Sequence, residues 1–141
     1  MTPPIERYGK FLETLSIEGL DALADYVTPK VRFRDPFNDV TGVENMRKVF
    51  IDMFEHVGPI EFTIIDSKGD AEAGVLVWKF KAQLLKRPWV LEGTTVLKFA
   101  ADGRVSEHVD HWDAARNFYE RLPIIGWLLG ALRRGLAVQK Q

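Results

Sequence analysis

Apolar residues recur along the chain in two periods, and the point where the period changes divides it. Near the start, Tyr8, Phe11, Leu12 and Leu15 fall at helical spacing after Pro3-Pro4, flanked by Glu6, Arg7, Lys10 and Glu13. One face is therefore apolar, and an amphipathic helix is expected. After a break at Ser16 to Gly19, where Ser16 can cap, Leu20, Leu23, Ala24 and Val27 predict a second helix ended by Pro29. Val31, Phe33 and Asp35 alternate with Arg32 and Arg34, which predicts a short strand carrying Asp35 at its far end, stopped by Pro36. Thr41 and Glu44 have capping-box spacing, and Val43, Met46, Val49, Phe50, Met53 and Phe54 predict one helical face closed by Gly58-Pro59.

Beyond Pro59 the period drops to two. Four strand-like runs follow, 60–67, 74–85, 89–101 and 104–113, separated by turn signals at Lys68 to Asp70, Lys86 to Pro88 and Asp102-Gly103. They predict a meander of long antiparallel strands. Leu76, Trp78, Phe80, Ala82 and Leu84 share one side, as do Gly93, Thr95, Leu97 and Phe99 on the next run, so one face of the sheet is apolar and the other mixed.

The last run, Arg104 to Asp113, is the unusual one. Strict alternation puts Ser106, His108, Asp110 and Trp112 on one face and Val105, Glu107, Val109, His111 and Asp113 on the other. An imidazole, a carboxylate and an indole in one row make a wall suited to a polar-tipped apolar pocket. A metal site at His108, Asp110 and His111 is disfavoured, because alternation sends His111 to the opposite face.

After Asp113, placed to cap a helix from Ala114 to about Arg121, Pro123 interrupts the pattern and Ile124 to Leu132 is almost wholly apolar before Arg133-Arg134. That run is too short to span a bilayer, which takes about twenty apolar residues. Three roles stay open for it: a lid over the pocket, a homodimer contact, or an interfacial membrane helix with Trp127 and the arginines at its boundary.

With 141 residues, the chain is expected to be a single domain, residues 1–113 forming the sheet-and-helix body and 114–141 a helical tail. A formal charge of −1 with acids and bases interspersed argues against a nucleic-acid surface. The chain has no cysteine, which excludes disulfides and thiolate chemistry. Its first residues lack the basic-then-apolar order of a signal peptide, so a cytoplasmic location is expected.

The order helix, helix, strand ending in Asp-Pro, helix and four-strand meander resembles the nuclear transport factor 2-like superfamily, which includes ketosteroid isomerase, scytalone dehydratase and the SnoaL-type polyketide cyclases. The resemblance covers residues 5 to about 113 and rests on Val31-Arg-Phe-Arg-Asp-Pro36, on Thr41-Gly42 before a helix, and on the aromatic and polar last strand. It implies an α+β fold: a cone-shaped, curved, mixed but mainly antiparallel sheet with N-terminal helices on its concave face, here with an added C-terminal apolar helical tail. It also implies that Asp35 occupies the place of the isomerase's proton-transferring base. Tyr8 matches the isomerase's oxyanion-donating tyrosine if a three-residue insertion falls near Ser16 to Gly19; without it Phe11 takes that place. The isomerase's protonated acid falls on Thr95, a departure. The pocket-facing positions of the last strand match His108, Asp110 and Trp112.

Two functional classes follow. In the first, Asp35, His108 and Asp110 carry protons on a small apolar carbonyl or hydroxyl compound, held by Tyr8, Phe11, Trp78, Phe80, Thr95 and Trp112, with no cofactor or metal. In the second, the same fold binds a small apolar molecule without turnover, or is an orphan dimeric domain. A homodimer through the sheet's outer face, with Val75, Val77, Val109 and His111, is expected in either case. Membrane contact by the tail is the remaining partner expectation.

Overall fold

Pro4 opens the first helix, α1 (Pro4–Glu13), at a position where its missing N–H costs nothing. Ile5, Tyr8, Phe11 and Leu12 are buried along one side of it. The computed structural model describes residues 2–119 and 125–137. Within them the chain forms two compact units, Met1–His111 and Trp112–Gln141.

The first unit is an α+β fold with a mixed, mostly antiparallel six-stranded sheet. After α1 comes a 3-10 turn (Glu18–Ala22), in which Ser16 Oγ accepts from Gly19 N at 2.9 Å, and then α2 (Leu23–Tyr26). Here the sequence expectation needs correcting. Val27 does not continue a helix; it begins β1 (Val27–Arg34) and is fully buried. Pro29 lies inside that strand, in the irregular stretch between Val27 and Arg32, where pairing is interrupted and a missing N–H is tolerated.

β2 (Asp39–Thr41) returns antiparallel to β1, and α3 (Val43–Val57) follows. The Thr41–Glu44 capping box does not form. Gly42, at φ +98°, is the N-cap without any side-chain cap, Thr41 stays in β2, and Glu44 turns instead to Arg47. A positive φ at the helix entry suits glycine, and it places Thr41 outside the geometry a cap requires. Of the expected apolar face, Met46 and Phe50 are buried, whereas Val43, Val49, Met53 and Phe54 are half-covered.

The remaining strands are β3 (Glu61–Gly69), β4 (Ala73–Leu84), β5 (Arg87–Phe99) and β6 (Val105–His111), giving the sheet order β2-β1-β6-β5-β4-β3. Every neighbouring pair is antiparallel except β1 and β6, which run parallel. That pairing brings the early strand carrying Phe33 against the late strand carrying His108. α1 packs on β3 and β4, and α3 on β1, β2 and β4.

Two turns differ from expectation. The β4–β5 connection is the two residues Leu85 and Lys86, both at positive φ, so Pro88 lies within β5 and not in the turn. Two-residue hairpins with both φ positive match the twist of their strands, and that geometry outweighed the Pro signal. At the β5–β6 hairpin, Ala100 N donates to Arg104 O at 2.8 Å, closing a three-residue loop with Gly103 at φ +86°. Pairing starts one residue out of step, with Phe99 opposite Val105, and a bulge at Ser106 restores it, with Leu97 opposite His108. Val105 therefore faces the core with His108, where strict alternation had placed it outside.

In the second unit Asp113 caps α4 (Ala114–Asn117), its carboxylate accepting from Arg116 N at 2.9 Å. The predicted continuation to Arg121, the interruption at Pro123 and the start of the apolar run at Ile124 lie outside the described residues. The run resumes as α5 (Ile125–Leu136).

Candidate functional site

Five polar side chains from four elements meet inside the first unit as one chain of hydrogen bonds. β5 and β6 set Thr95 opposite Asp110, and β4 and β5 set Trp78 beside Gly93, two residues earlier. The Trp78 indole N–H donates to Thr95 Oγ1 at 2.8 Å, and an indole can only donate. Thr95 must then spend its own hydrogen on Asp110 Oδ1, 2.5 Å away. The same Oδ1 lies 2.8 Å from His108 Nε2. In the neutral ring this makes Nε2 the N–H that donates to the carboxylate and leaves Nδ1 to accept from the Tyr8 hydroxyl, 2.7 Å away.

The surroundings are dry. Tyr8 and His108 are each 2 % exposed. Three aromatic rings enclose the imidazole, with centroids of Phe33 at 4.8 Å, Tyr8 at 5.7 Å and Phe50 at 6.4 Å. Burial, with a smaller push from the Asp110 charge, raises the Tyr8 phenol well above its ordinary value. Tyr8 is held as a neutral hydroxyl.

Asp35 follows the last residue of β1 at a point where Arg34 is paired with Val109 of β6. Asp35 is close enough to Asp110 to feel its charge. Its carboxylate is oriented by its own loop: Oδ1 accepts from Phe37 N at 2.8 Å, from Asn38 N at 2.7 Å and from Asn38 Nδ2 at 3.1 Å. Burial raises the Asp35 carboxyl above the usual carboxylate range; the three donors pull it back, and the charge of Asp110 adds to the rise.

The other predicted site residues divide. Trp78 and Thr95 place their polar atoms in the chain, bonded to each other and to Asp110. Phe11 turns away from His108 and stacks on Tyr26, centroids 4.2 Å apart, so Tyr8 is the first-helix residue that reaches the last strand. Phe80 is buried among Phe62, Trp78 and Trp89. Trp112 stands past the end of β6 as the first residue of the second unit. His111 is exposed, and among the described residues no group of three His, Cys, Asp or Glu side chains is placed to hold a metal.

Sequence reasoning missed Asn38, because an Asn in a Pro-containing turn carries no sign of which carboxylate it meets. It also missed the bond between Thr95 and Asp110, although a signal existed. Pairing outward from a two-residue turn at Asp102-Gly103 puts position 95 opposite position 110.

Comparison with known proteins agrees with this fold. Residues 8–108 match the family model described as the SnoaL-like domain, and the chain belongs to that family. Among solved structures it is similar to a protein of ketosteroid isomerase-like fold from Catenulispora acidiphila, in complex with trimethylamine, at TM-score 0.72 and 14 % identity, covering 87 % of this chain and 96 % of that one. It is also similar to an LEH-like epoxide hydrolase of M. tuberculosis, at TM-score 0.69 and 19 % identity, over 94 % of this chain and 95 % of that one. A nuclear transport factor 2-like protein of unknown function from Burkholderia pseudomallei matches at TM-score 0.67 and 16 % identity, over 78 % of this chain and 88 % of that one. No curated protein matches by sequence.

Proposed function

We propose that the first unit binds a small apolar molecule bearing a carbonyl or hydroxyl group and moves a proton on it by side-chain acid-base chemistry, of the isomerase, dehydratase or cyclase kind. One observation carries this reading: Asp35, a carboxylate that burial inclines to hold a proton, sits where the charge of Asp110 reaches it. Asp110 in turn links Thr95 to His108, and through His108 to Tyr8. Two carboxylates in different surroundings divide the work of proton donor and proton acceptor.

Asp35 takes the hydrogen from the carbon next to the carbonyl, its basicity raised by burial toward the range useful for the task. His108 acts through its partners. Both ring nitrogens are already bonded, so a proton reaches or leaves the ring by way of Tyr8 or Asp110 and not directly from the ligand. Asp110 Oδ1 accepts both of its bonds, leaving Oδ2 without a hydrogen bond among the described residues.

A second reading, binding without turnover, is favoured by a separate fact. Among the described residues every buried side-chain polar atom already has a partner, as in a chain that serves only stability. Exchange of substrate hydrogens decides between the two. Ketones of graded size are incubated with the protein in heavy water, and loss of the hydrogens next to the carbonyl is followed by NMR. Catalysed exchange falling by about 10²–10⁴ in Asp35→Asn supports acid-base work. Ligand-induced shifts with no exchange in the unaltered protein support binding alone, and equal exchange in both proteins removes Asp35 from the chemistry.

A further inference from the structure

The last described helix exposes four large apolar side chains. On α5, Trp127, Leu128, Leu132 and Leu136 are exposed, at 70 %, 60 %, 60 % and 79 %. Among the positions of α5 whose burial is described, Gly126 and Gly130 are buried. Leu128, Leu132 and Leu136 recur every fourth residue and form one stripe, while exposed Trp127 and Arg134 neighbour each other on a separate flank, about 100–120° round the helix from Leu128.

Charge points to what covers the stripe. Residues 1–111 carry fourteen Lys and Arg against eighteen Asp and Glu, a formal −4; residues 112–141 carry five against two, a formal +3. The near-neutral whole conceals an acidic first unit followed in sequence by a basic, apolar second one. A second copy of the tail would bring like charge to the contact. An anionic lipid surface offers both the apolar phase and the opposite charge.

We propose that α5 docks on an anionic bilayer surface, the stripe of Leu128, Leu132 and Leu136 entering the boundary between headgroups and acyl chains while Trp127 and Arg134, on the helix flank, meet the headgroups. The helix lies in the plane of the surface. No helix among the described residues is long and apolar enough to cross a membrane, and twelve residues span about 18 Å, against a hydrocarbon core of about 30 Å. An indole and an arginine on the flank of an apolar stripe suit such an arrangement. The attachment is reversible, since a single short helix supplies modest apolar area and a few charges.

Flotation of the full chain with vesicles tests this. Phosphatidylcholine vesicles are compared with the same vesicles containing about one-third phosphatidylserine. Binding is expected only to the anionic vesicles, and to weaken as salt is raised. Arg134→Gln lowers the affinity about fivefold, and Leu128→Ser or Leu132→Ser lowers it about tenfold or more, with thermal midpoints unchanged. Equal binding to both vesicles, or to neither, overturns the proposal. So does a dimer in lipid-free sedimentation that Leu132→Ser dissociates, because a second copy then covers the stripe. A clear fall in the thermal midpoint of both leucine variants overturns it too, because the stripe then belongs to the chain's own core.

Discussion

Tyr8 and His108 stand a hundred residues apart in the chain and 2.7 Å apart in the fold, joined where neither meets water. The bond ties the opening helix to the closing strand. Removing the Tyr8 hydroxyl leaves His108 Nδ1 buried without a partner, and an unsatisfied buried polar atom costs about 1–3 kcal/mol. Tyr8→Phe is therefore expected to lower unfolding stability by that amount in urea titrations. The pH dependence is set by the raised Tyr8 phenol. Below the ordinary tyrosine value both states hold the proton; above it the unfolded chain ionises first, so stability falls as pH rises through the alkaline range. Tyr8→Phe should lose that part of the alkaline fall, and an identical alkaline limb in both proteins would refute the buried phenol.

Gly93 is required by the Trp78 indole. A Cβ at position 93 would lie 2.5 Å from Trp78 Cη2 and 2.9 Å from the His111 carbonyl oxygen, closer than packed atoms tolerate. The ring would have to move, and its N–H would leave Thr95 Oγ1. Gly93→Ala is expected to cost about 1–3 kcal/mol through overpacking. The exchange-broadened or shifted indole N–H resonance of Trp78 would report the broken link, and an unmoved resonance with unchanged stability would count against this account.

Much of this fold was legible because burial imposes period. The alternation of Leu76, Trp78, Phe80 and Ala82, and of Thr95, Leu97 and Phe99, matches the buried rows of β4 and β5. The placement of Tyr8 and Leu12 matches the buried face of α1. What stayed hidden was set by turns and long-range pairing. The bulge at Ser106 turns Val105 inward. The polar row was half legible: His108 and Asp110 share a face by alternation, whereas their ties to Tyr8, Thr95 and Trp78 depend on helix placement and strand register. Val27 was misread because helical spacing from Leu20 and Leu23 fits it equally well, and only the pairing with Val105 decides for a strand.

The β4–β5 turn stores strain that substitution can release. Leu85 at φ 52° and Lys86 at φ 64° occupy the left-handed region, which costs side-chain-bearing residues about 1–2 kcal/mol each. Both are exposed, so no packing offsets the cost. Lys86→Gly is expected to raise stability by about 0.5–1 kcal/mol, after the greater freedom of glycine in the unfolded chain is subtracted. Leu85→Asn should add to it, since Asn-Gly is the pair this turn favours. A thermal midpoint that falls in Lys86→Gly would show that the observed turn is not the one populated in solution.

Asp35 gives the pH test of the site's electrostatics. Its carboxyl is raised chiefly by burial, so the sign is opposite to that of a salt-bridged aspartate. Below the ordinary aspartate value both folded and unfolded chains hold the proton, and the group costs nothing. As pH rises the unfolded chain releases its proton first, and stability is lost until folded Asp35 ionises as well. Asn at this position cannot ionise but can still accept from Phe37 N and Asn38 N through its own Oδ1, so the loop is kept. The stability of Asp35→Asn relative to the unaltered protein should therefore climb as pH rises above the ordinary aspartate value and level off once folded Asp35 has ionised, as read from urea midpoints across the range. A gap between the two that does not change with pH would mean that Asp35 is no more basic than an exposed aspartate, and the proton-accepting role assigned to it would lose its physical ground.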